Sequence, residues 1–332
     1  MTTLRLGTRR SPLATTQSAW VADRLRLAGH VVQLVEITTQ GDVSTQALTS
    51  IGGTGVFAAA IRRALLDGEV DLAVHSLKDL PTTPEPGLVV AAVPPREDPR
   101  DVLVARDGLT LGELPAGAVV GTGSPRRTAQ LNALGLGLDV RPVRGNVETR
   151  IRLVRSGTCD AVVLARAGLS RLGRLEDVTE TLDPLQLLPA PGQGALAIEC
   201  RADRPDVVSL LTVLDDADSR ACVSAERAVL ATLEAGCTAP VGALAEVVED
   251  EAGVELSLRA FVGAEDGSAE LRRSLVGPLV GPVDLGRRLA EILLEDGAQD
   301  LAGHPPPPPD GIPRRVVALS TPSTPSYTEQ VS

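Results

Sequence analysis

The chain has 332 residues, 43% of them hydrophobic and only 1% aromatic, with a formal net charge of −11 and a pI near 4.9. One hydrophobic core seldom grows past roughly 250–300 residues, so the length predicts two or three domains, their cores filled by Leu, Val, Ile and Ala. The acidic balance argues against nucleic acid as a partner, no run of about 18 apolar residues is present to span a membrane, and the opening "MTTLRLGTRRSPLA" lacks the apolar stretch of a secretory signal.

The first 200 residues alternate between strand-like and helix-like segments. "LRLGT" (4–8) reads as a strand and 12–28 as a helix. "VVQLVEIT" (31–38) is a strand, 56–67 a helix and "DLAVHS" (71–76) a strand. After "LVVAAVPP" the pattern restarts with strands "DVLVAR" (101–106) and "AVVGTGS" (118–124) and a helix at 125–134. "DVRPVRG" (139–145), a helix at 147–156 and "DAVVLA" (160–165) follow. Alternation of this kind means βαβ units: an α/β fold of mainly parallel sheets with helices on both faces. Two units in tandem predict two similar domains with a cleft between them.

From 203 the pattern changes. A helix over 218–235, three antiparallel strands ("VGALAEVVED", "VELSLRAFVGA", "AELRRSLVGPL") and a helix over 282–297 predict a smaller α+β domain. Residues 303–332 hold five consecutive prolines and then Ser, Thr and Pro, the composition of a disordered tail.

Positive charge is concentrated. Residues 126–174 contain ten Arg against three acids, Asp139, Glu148 and Asp160. For Arg152 and Arg155 a solvated helix face is the simpler explanation. In "TGSPRRT", Ser124 is a good N-cap and Pro125 a good first helical residue. Arg126 and Arg127 then fall in the first turn, where the helix dipole disfavours cations. A carboxylate or phosphate held by guanidinium forks and free N–H groups would offset that cost. "GTRRSPLA" repeats the device with Arg9 and Arg10 before Ser11, and "VRGNVETR" does so with Arg144, Gly145, Asn146 and Arg150. In open α/β sheets such strand ends are where ligands bind, so three of them point to one ligand with several negative groups.

Lys78 is the only lysine among 32 basic Lys and Arg residues. It is either a chance survivor of an arginine-rich coding bias or a compact donor in a site too tight for a guanidinium. Its neighbour Asp79 is either a solvated partner or a carboxylate that holds a ligand N–H and stabilises a forming cation. "SIGGTGVFAAAI" (50–61) lacks the Gly-Lys-Ser/Thr of a P-loop and reads as a mobile lid or as a plain loop.

The four cysteines, Cys159, Cys200, Cys222 and Cys237, show neither CxxC nor metal-ligand spacing, so no metal site is expected. They read as thiols of a reduced, cytosolic protein. The first three fit as small buried hydrophobes. Cys237 follows a helix stop at Gly236, where the dipole disfavours thiolate. That suits a permanent thioether anchor better than a turnover nucleophile.

"GTRRSPLA", "EITTQGD", "HSLKDLP", "VGTGSPRRTAQL", "VRGNVETR", "LARAGLSRLG", "PAPGQGALAIECR" and "AGCTAPVG" occur in this order. In these eight motifs, spread over about 3–302, the chain closely resembles the porphobilinogen deaminases (hydroxymethylbilane synthases). The resemblance implies two α/β domains like the type II periplasmic binding proteins, at 1–94 with 195–214 and at 100–190, and a cofactor-anchoring α+β domain at 217–302. It implies a monomeric transferase that joins four porphobilinogen units head to tail, with loss of ammonia, to give hydroxymethylbilane. Growth would begin on a dipyrromethane cofactor held by a thioether to Cys237. Ser76, Lys78, Thr122, Ser124, Arg126, Arg127 and Gly145 would hold that cofactor. Arg9, Ser11, Arg144, Arg150 and Arg171 would bind the incoming pyrrole and the growing chain. Asp79 would contact pyrrole N–H groups and, with Lys78, serve catalysis. Ser50 and Thr54 stand where the family's lid often carries lysines, and Pro125 stands where leucine is common. The rival readings are a non-catalytic binder of a multi-anionic ligand and a phosphate-ester enzyme. The former has no use for the third domain, and the latter finds no metal-ligand cluster.

Overall fold

The computed structural model describes residues 3–38, 56–235, 239–250 and 253–301. The expected lid around 39–55, Cys237 and the tail at 303–332 lie outside them. The first run of elements is β1 (Thr3–Thr8), α1 (Pro12–Leu27), β2 (Val31–Glu36), α2 (Val56–Leu66), β3 (Leu72–Ser76) and β4 (Leu88–Ala92). The second is β5 (Asp101–Ala105), β6 (Val119–Thr122), α3 (Pro125–Ala133), β7 (Asp139–Pro142), α4 (Val147–Arg155), β8 (Ala161–Ala165), α5 (Arg166–Arg171) and β9 (Glu180–Thr181). β10 (Leu196–Arg201) and α6 (Pro205–Leu211) follow. The last run is α7 (Ala217–Thr232), β11 (Val241–Asp250), β12 (Gly253–Gly263), β13 (Glu270–Pro278), α8 (Pro282–Glu295) and α9 (Ala298–Leu301).

The two α/β sheets have the same layout, β2-β1-β3-β10-β4 and β7-β6-β8-β5-β9. In each, the first three strands pair in parallel, and the fourth is antiparallel to both its neighbours. Four of five strands therefore share a direction, but half of the pairings are antiparallel. The reversed strand arrives by a crossover: β5 enters the second sheet from β4, and β10 returns to the first from β9. This swap is the arrangement expected of type II periplasmic-binding-protein-like domains. β8 reads as an unbroken apolar run, as expected of a central strand buried on both faces.

The third sheet, β11-β12-β13, is antiparallel and packs against α7 and α8. Leu285, Leu289, Ala290 and Leu293 recur at helical spacing on the buried side of α8. Gly286 allows α8 to approach α7 closely, since a Cβ there would lie 2.1 Å from the Ala225 carbonyl.

Glu226 on α7 joins this unit to both crossovers. Its fully buried carboxylate accepts from Arg96 Nη1 at 2.6 Å and Nη2 at 3.0 Å, from Gly192 N at 2.6 Å and from Ala245 N at 2.9 Å. A buried charge is tolerated when it is paired and saturated in this way. Cys159, Cys200 and Cys222 are buried free thiols, as their sequence positions suggest. Burial pushes Cys200 and Cys222 up to about 11. Among the described residues no helix is long and apolar enough to cross a membrane.

Candidate active site

The strand ends of the two α/β sheets carry nearly all the candidate residues. Arg9 follows β1, and Ser11 caps α1 by accepting from Ala14 N at 3.3 Å. Lys78 and Asp79 follow β3 in a single 3-10 turn, Leu77–Asp79. Ser124 follows β6, Arg144 and Gly145 follow β7, and Arg171 ends α5 beyond β8. The helix starts behind these ends come together: a Cβ on Gly168 would lie 3.9 Å from both Leu13 of α1 and Val147 of α4. Arg171 Nη2 donates to the Gly194 carbonyl of the second crossover at 2.6 Å. The arginine-bearing edges of both sheets therefore meet beside the crossovers.

Beneath them lies a buried polar chain. Asp101, the first residue of β5, is fully buried. It accepts from Arg126 Nη2 at 2.8 Å, Arg127 Nη2 at 2.7 Å and Gln193 Nε2 at 2.8 Å. Gln193 in turn accepts from Lys78 Nζ at 3.1 Å. One carboxylate thus links three cations drawn from the first and second α/β units. Burial pushes the Asp101 carboxyl up, but Arg126 and Arg127 more than offset this and hold it well below the usual range. Burial lowers the Lys78 ammonium to about 8, with Asp79 opposing and Arg127 reinforcing the shift.

This corrects one expectation. The cost of Arg126 and Arg127 in the first turn of α3 is offset from inside the protein, by Asp101. Both side chains are buried, at 3% and 5% exposure, and their remaining Nη1 groups donate to the Leu188 and Val163 carbonyls. Ser124 sits at the N-cap, yet its hydroxyl makes no cap hydrogen bond; its N–H donates to Thr122 Oγ1 at 3.2 Å instead. Thr122 is buried beside it. Asn146 does cap α4, accepting from Thr149 N at 2.9 Å.

Gly145 precedes that cap with φ +101°, and a Cβ there would lie 2.7 Å from Thr149 Cγ2. Only glycine fits. Its carbonyl accepts from Arg150 Nε at 3.0 Å. Burial, and then the neighbouring Arg127, push Arg150 down to about 10. Burial likewise lowers Arg171, opposed by Glu97. Ser76 exchanges hydrogen bonds with Gln17, at 3.1 and 3.3 Å. Asp79 and Arg144 are exposed and Arg9 is half-buried. Arg155, expected on a solvated face, is exposed and pairs with Asp177 at 2.8 Å.

The site gathers more cations than acids. Arg127 adds to the cost of the Arg150 charge, and among the described residues the buried Nε atoms of Arg126 and Arg127 have no hydrogen-bond partner. Comparison with known proteins decides the family. Residues 4–209 match the family model described as porphobilinogen deaminase, dipyromethane cofactor binding domain, and 220–295 match the model of the porphobilinogen deaminase C-terminal domain. The chain belongs to the porphobilinogen deaminase family. It is 60% identical over 303 residues to the porphobilinogen deaminase of Mycobacterium tuberculosis, covering 90% of this chain and 98% of that one. It is 58% identical over 306 residues to that of Mycobacteroides abscessus, covering 91% and 100%. Among solved structures it is similar to a putative methionine-binding lipoprotein of Bacillus subtilis, with a TM-score of 0.40 and 15% identity over 64% of this chain and 89% of that chain.

The family's cofactor is dipyrromethane, whose rings carry carboxylate side chains. The surplus of cations over acids around Lys78, Arg127 and Arg150 fits such a group. Sequence reading missed Asp101 and Gln193. For Gln193 a signal existed, since a lone amide between glycines in "PGQGA" sits in a quoted motif. For Asp101 the only signal was an acid heading a strand otherwise wholly apolar, "DVLVA".

Proposed function

We propose that this chain acts as a hydroxymethylbilane synthase, condensing four porphobilinogen molecules head to tail with release of ammonia. The observation that carries this reading is the Lys78–Gln193–Asp101–Arg126/Arg127 chain, which ends on the turn that carries the exposed Asp79. It sets fixed positive charge beside a carboxylate that is free to meet substrate. Lys78, Ser76, Thr122, Ser124, Arg126, Arg127 and Gly145 hold the cofactor, and Cys237 anchors it. When bound, dipyrromethane supplies the nucleophilic pyrrole carbon on which the product is built.

The protein's own groups do the rest. Arg9, Ser11, Arg144, Arg150 and Arg171 receive the acetate and propionate of the incoming porphobilinogen through guanidinium forks and a helix start. Orientation of that kind converts a bimolecular encounter into a positioned one. Asp79 faces the substrate's pyrrole N–H and stabilises the positive charge that develops as ammonia departs. Lys78, held by Gln193, keeps an ammonium next to Asp79 at the cofactor site.

The unit boundaries follow as 1–94 with 195–214, 100–190 and 217–302. We place the enzyme in the cytoplasm as a monomer; its buried, unpaired thiols suit a reducing compartment. The test is stoichiometric. Purified enzyme given porphobilinogen should release four ammonia molecules for each hydroxymethylbilane; consumption without ammonia, or binding without turnover, would reject the assignment.

Lys78 makes a pH prediction. Its ammonium is lowered from 10.5 to about 8 in the folded chain, so above that pH the cofactor site loses a positive charge. Adduct assembly on cofactor-free chain should fall above pH 8 by up to about tenfold per unit. Between 8 and 10.5 the unfolded chain binds the extra proton, so this group's effect on stability becomes more favourable as pH rises. Lys78→Arg removes the alkaline fall but slows assembly at neutral pH, because a planar fork does not fit the Gln193 contact. A pH profile unchanged by Lys78→Arg would contradict this.

A further inference from the structure

α7 presents one face to the turn that carries Lys78 and Asp79. Val223 on that face packs with Leu77 and Leu80 in a single buried cluster. Arg227 lies four residues further on, hence on the same side of the helix. Its Nη1 donates to the Leu77 carbonyl at 3.3 Å and the Leu80 carbonyl at 2.9 Å, and its Nη2 donates to the Pro81 carbonyl at 2.6 Å.

The opposite side of the turn is held from the second crossover. Leu77 N donates to the Ala195 carbonyl at 3.0 Å, and Lys78 Nζ reaches Gln193. Asp79 thus sits between two grips, one from the crossover and one from α7. The α7 grip matters because of where that helix leads: it ends at Thr232, shortly before Cys237. A guanidinium suits the task. Its planar fork spans several carbonyls that a short turn leaves outward, which a point-charge ammonium does not.

Resting on the reading in which Asp79 stabilises the forming cation, we propose that Arg227 is a positioning residue that locks the Asp79 turn to the helix running into the cofactor anchor. The Asp79 turn is then fixed relative to α7. The role of Arg227 is exerted through the backbone carbonyls of residues 77–81 that it holds.

A double-mutant cycle on the full-length holoenzyme tests this. Arg227→Ala should lower kcat about 10- to 100-fold, as expected for a displaced catalytic group. KM for porphobilinogen should change by less than about threefold, because the substrate arginines are untouched. Arg227→Lys should recover part of the loss. In an Asp79→Ala background, Arg227→Ala should cause no further loss, since the residue it positions is already gone. Turnover retained in Asp79→Ala alone would defeat the functional reading itself. Asp79→Ala inactive but Arg227→Ala within about twofold of native would defeat only this inference, as would an equal loss in both backgrounds. If Arg227→Ala does not fold, Arg227→Lys and Arg227→Gln carry the same cycle with the same outcomes.

Discussion

Asp79→Ala should lower kcat by at least about 100- to 1000-fold, the scale found when one preorganised electrostatic stabiliser is removed from a site. Loss of ammonia from porphobilinogen leaves positive charge on the pyrrole. Asp79 is the exposed carboxylate on the turn that the structure restrains from both sides. Its partner charge, Lys78, is tied back to Gln193 and does not follow it into solvent. Removing the carboxylate leaves the carboxylate-binding cations intact, so the adduct on Cys237 should still assemble in part. Asp79→Asn keeps size and hydrogen bonding but not charge, and should be nearly as slow. Single-turnover ammonia release measures the step directly. Product formation at the native rate in Asp79→Ala would remove this residue from the chemistry.

Asp101→Asn should be the most damaging change to the fold near the site. The native carboxylate is fully buried and bridges Arg126, Arg127 and Gln193. Breaking a buried ion pair by removing one partner costs about 3–5 kcal/mol, because the opposite charge is left without compensation. Here two guanidiniums lose their partner at once. The carboxyl is held well below its ordinary value in the folded chain. Its contribution is therefore fully present above the unfolded pKa of about 3.9 and is lost only as pH falls through the lower folded value. Denaturant unfolding at neutral pH should show a midpoint well below native, and the gap between variant and native should shrink in strong acid. Equal midpoints at neutral pH would mean that the arginine charges are balanced by some other group.

Much of the architecture was legible. Apolar runs located β1 to β3 and β5 to β8 within a few residues, and Pro12, Pro125 and Ser11 marked helix starts where they are found. The reversed direction of β5 and β10 was not legible, because a strand's own pattern does not say from which side a crossover delivers it. β9 has only two residues and carries no period.

The candidate site divides along the same line. Strand-end arginines and the lone lysine could be found because each breaks a local rule: a cation at a helix start, or an ammonium in a chain of guanidiniums. Asp101 breaks a tertiary rule, burial of a charge, and its only local signal was its place at the head of an otherwise apolar strand. Gln193 lies 92 residues from Asp101 and 115 from Lys78, and its bridging position depends on the crossover. Arg227 looked like one charged residue on an Ala- and Val-rich helix. Its three carbonyl partners lie about 150 residues upstream.

The account as a whole requires that polycarboxylated rings be clamped by Lys78 and the arginines while sulfur at position 237 tethers them. Intact mass of the purified full-length chain, followed by peptide mapping, reads this most directly. The account predicts a mass increment equal to one dipyrromethane, mapped to Cys237 and absent from Cys237→Ser, which should also be inactive. An unmodified chain with full synthase activity, or an active Cys237→Ser, would contradict it.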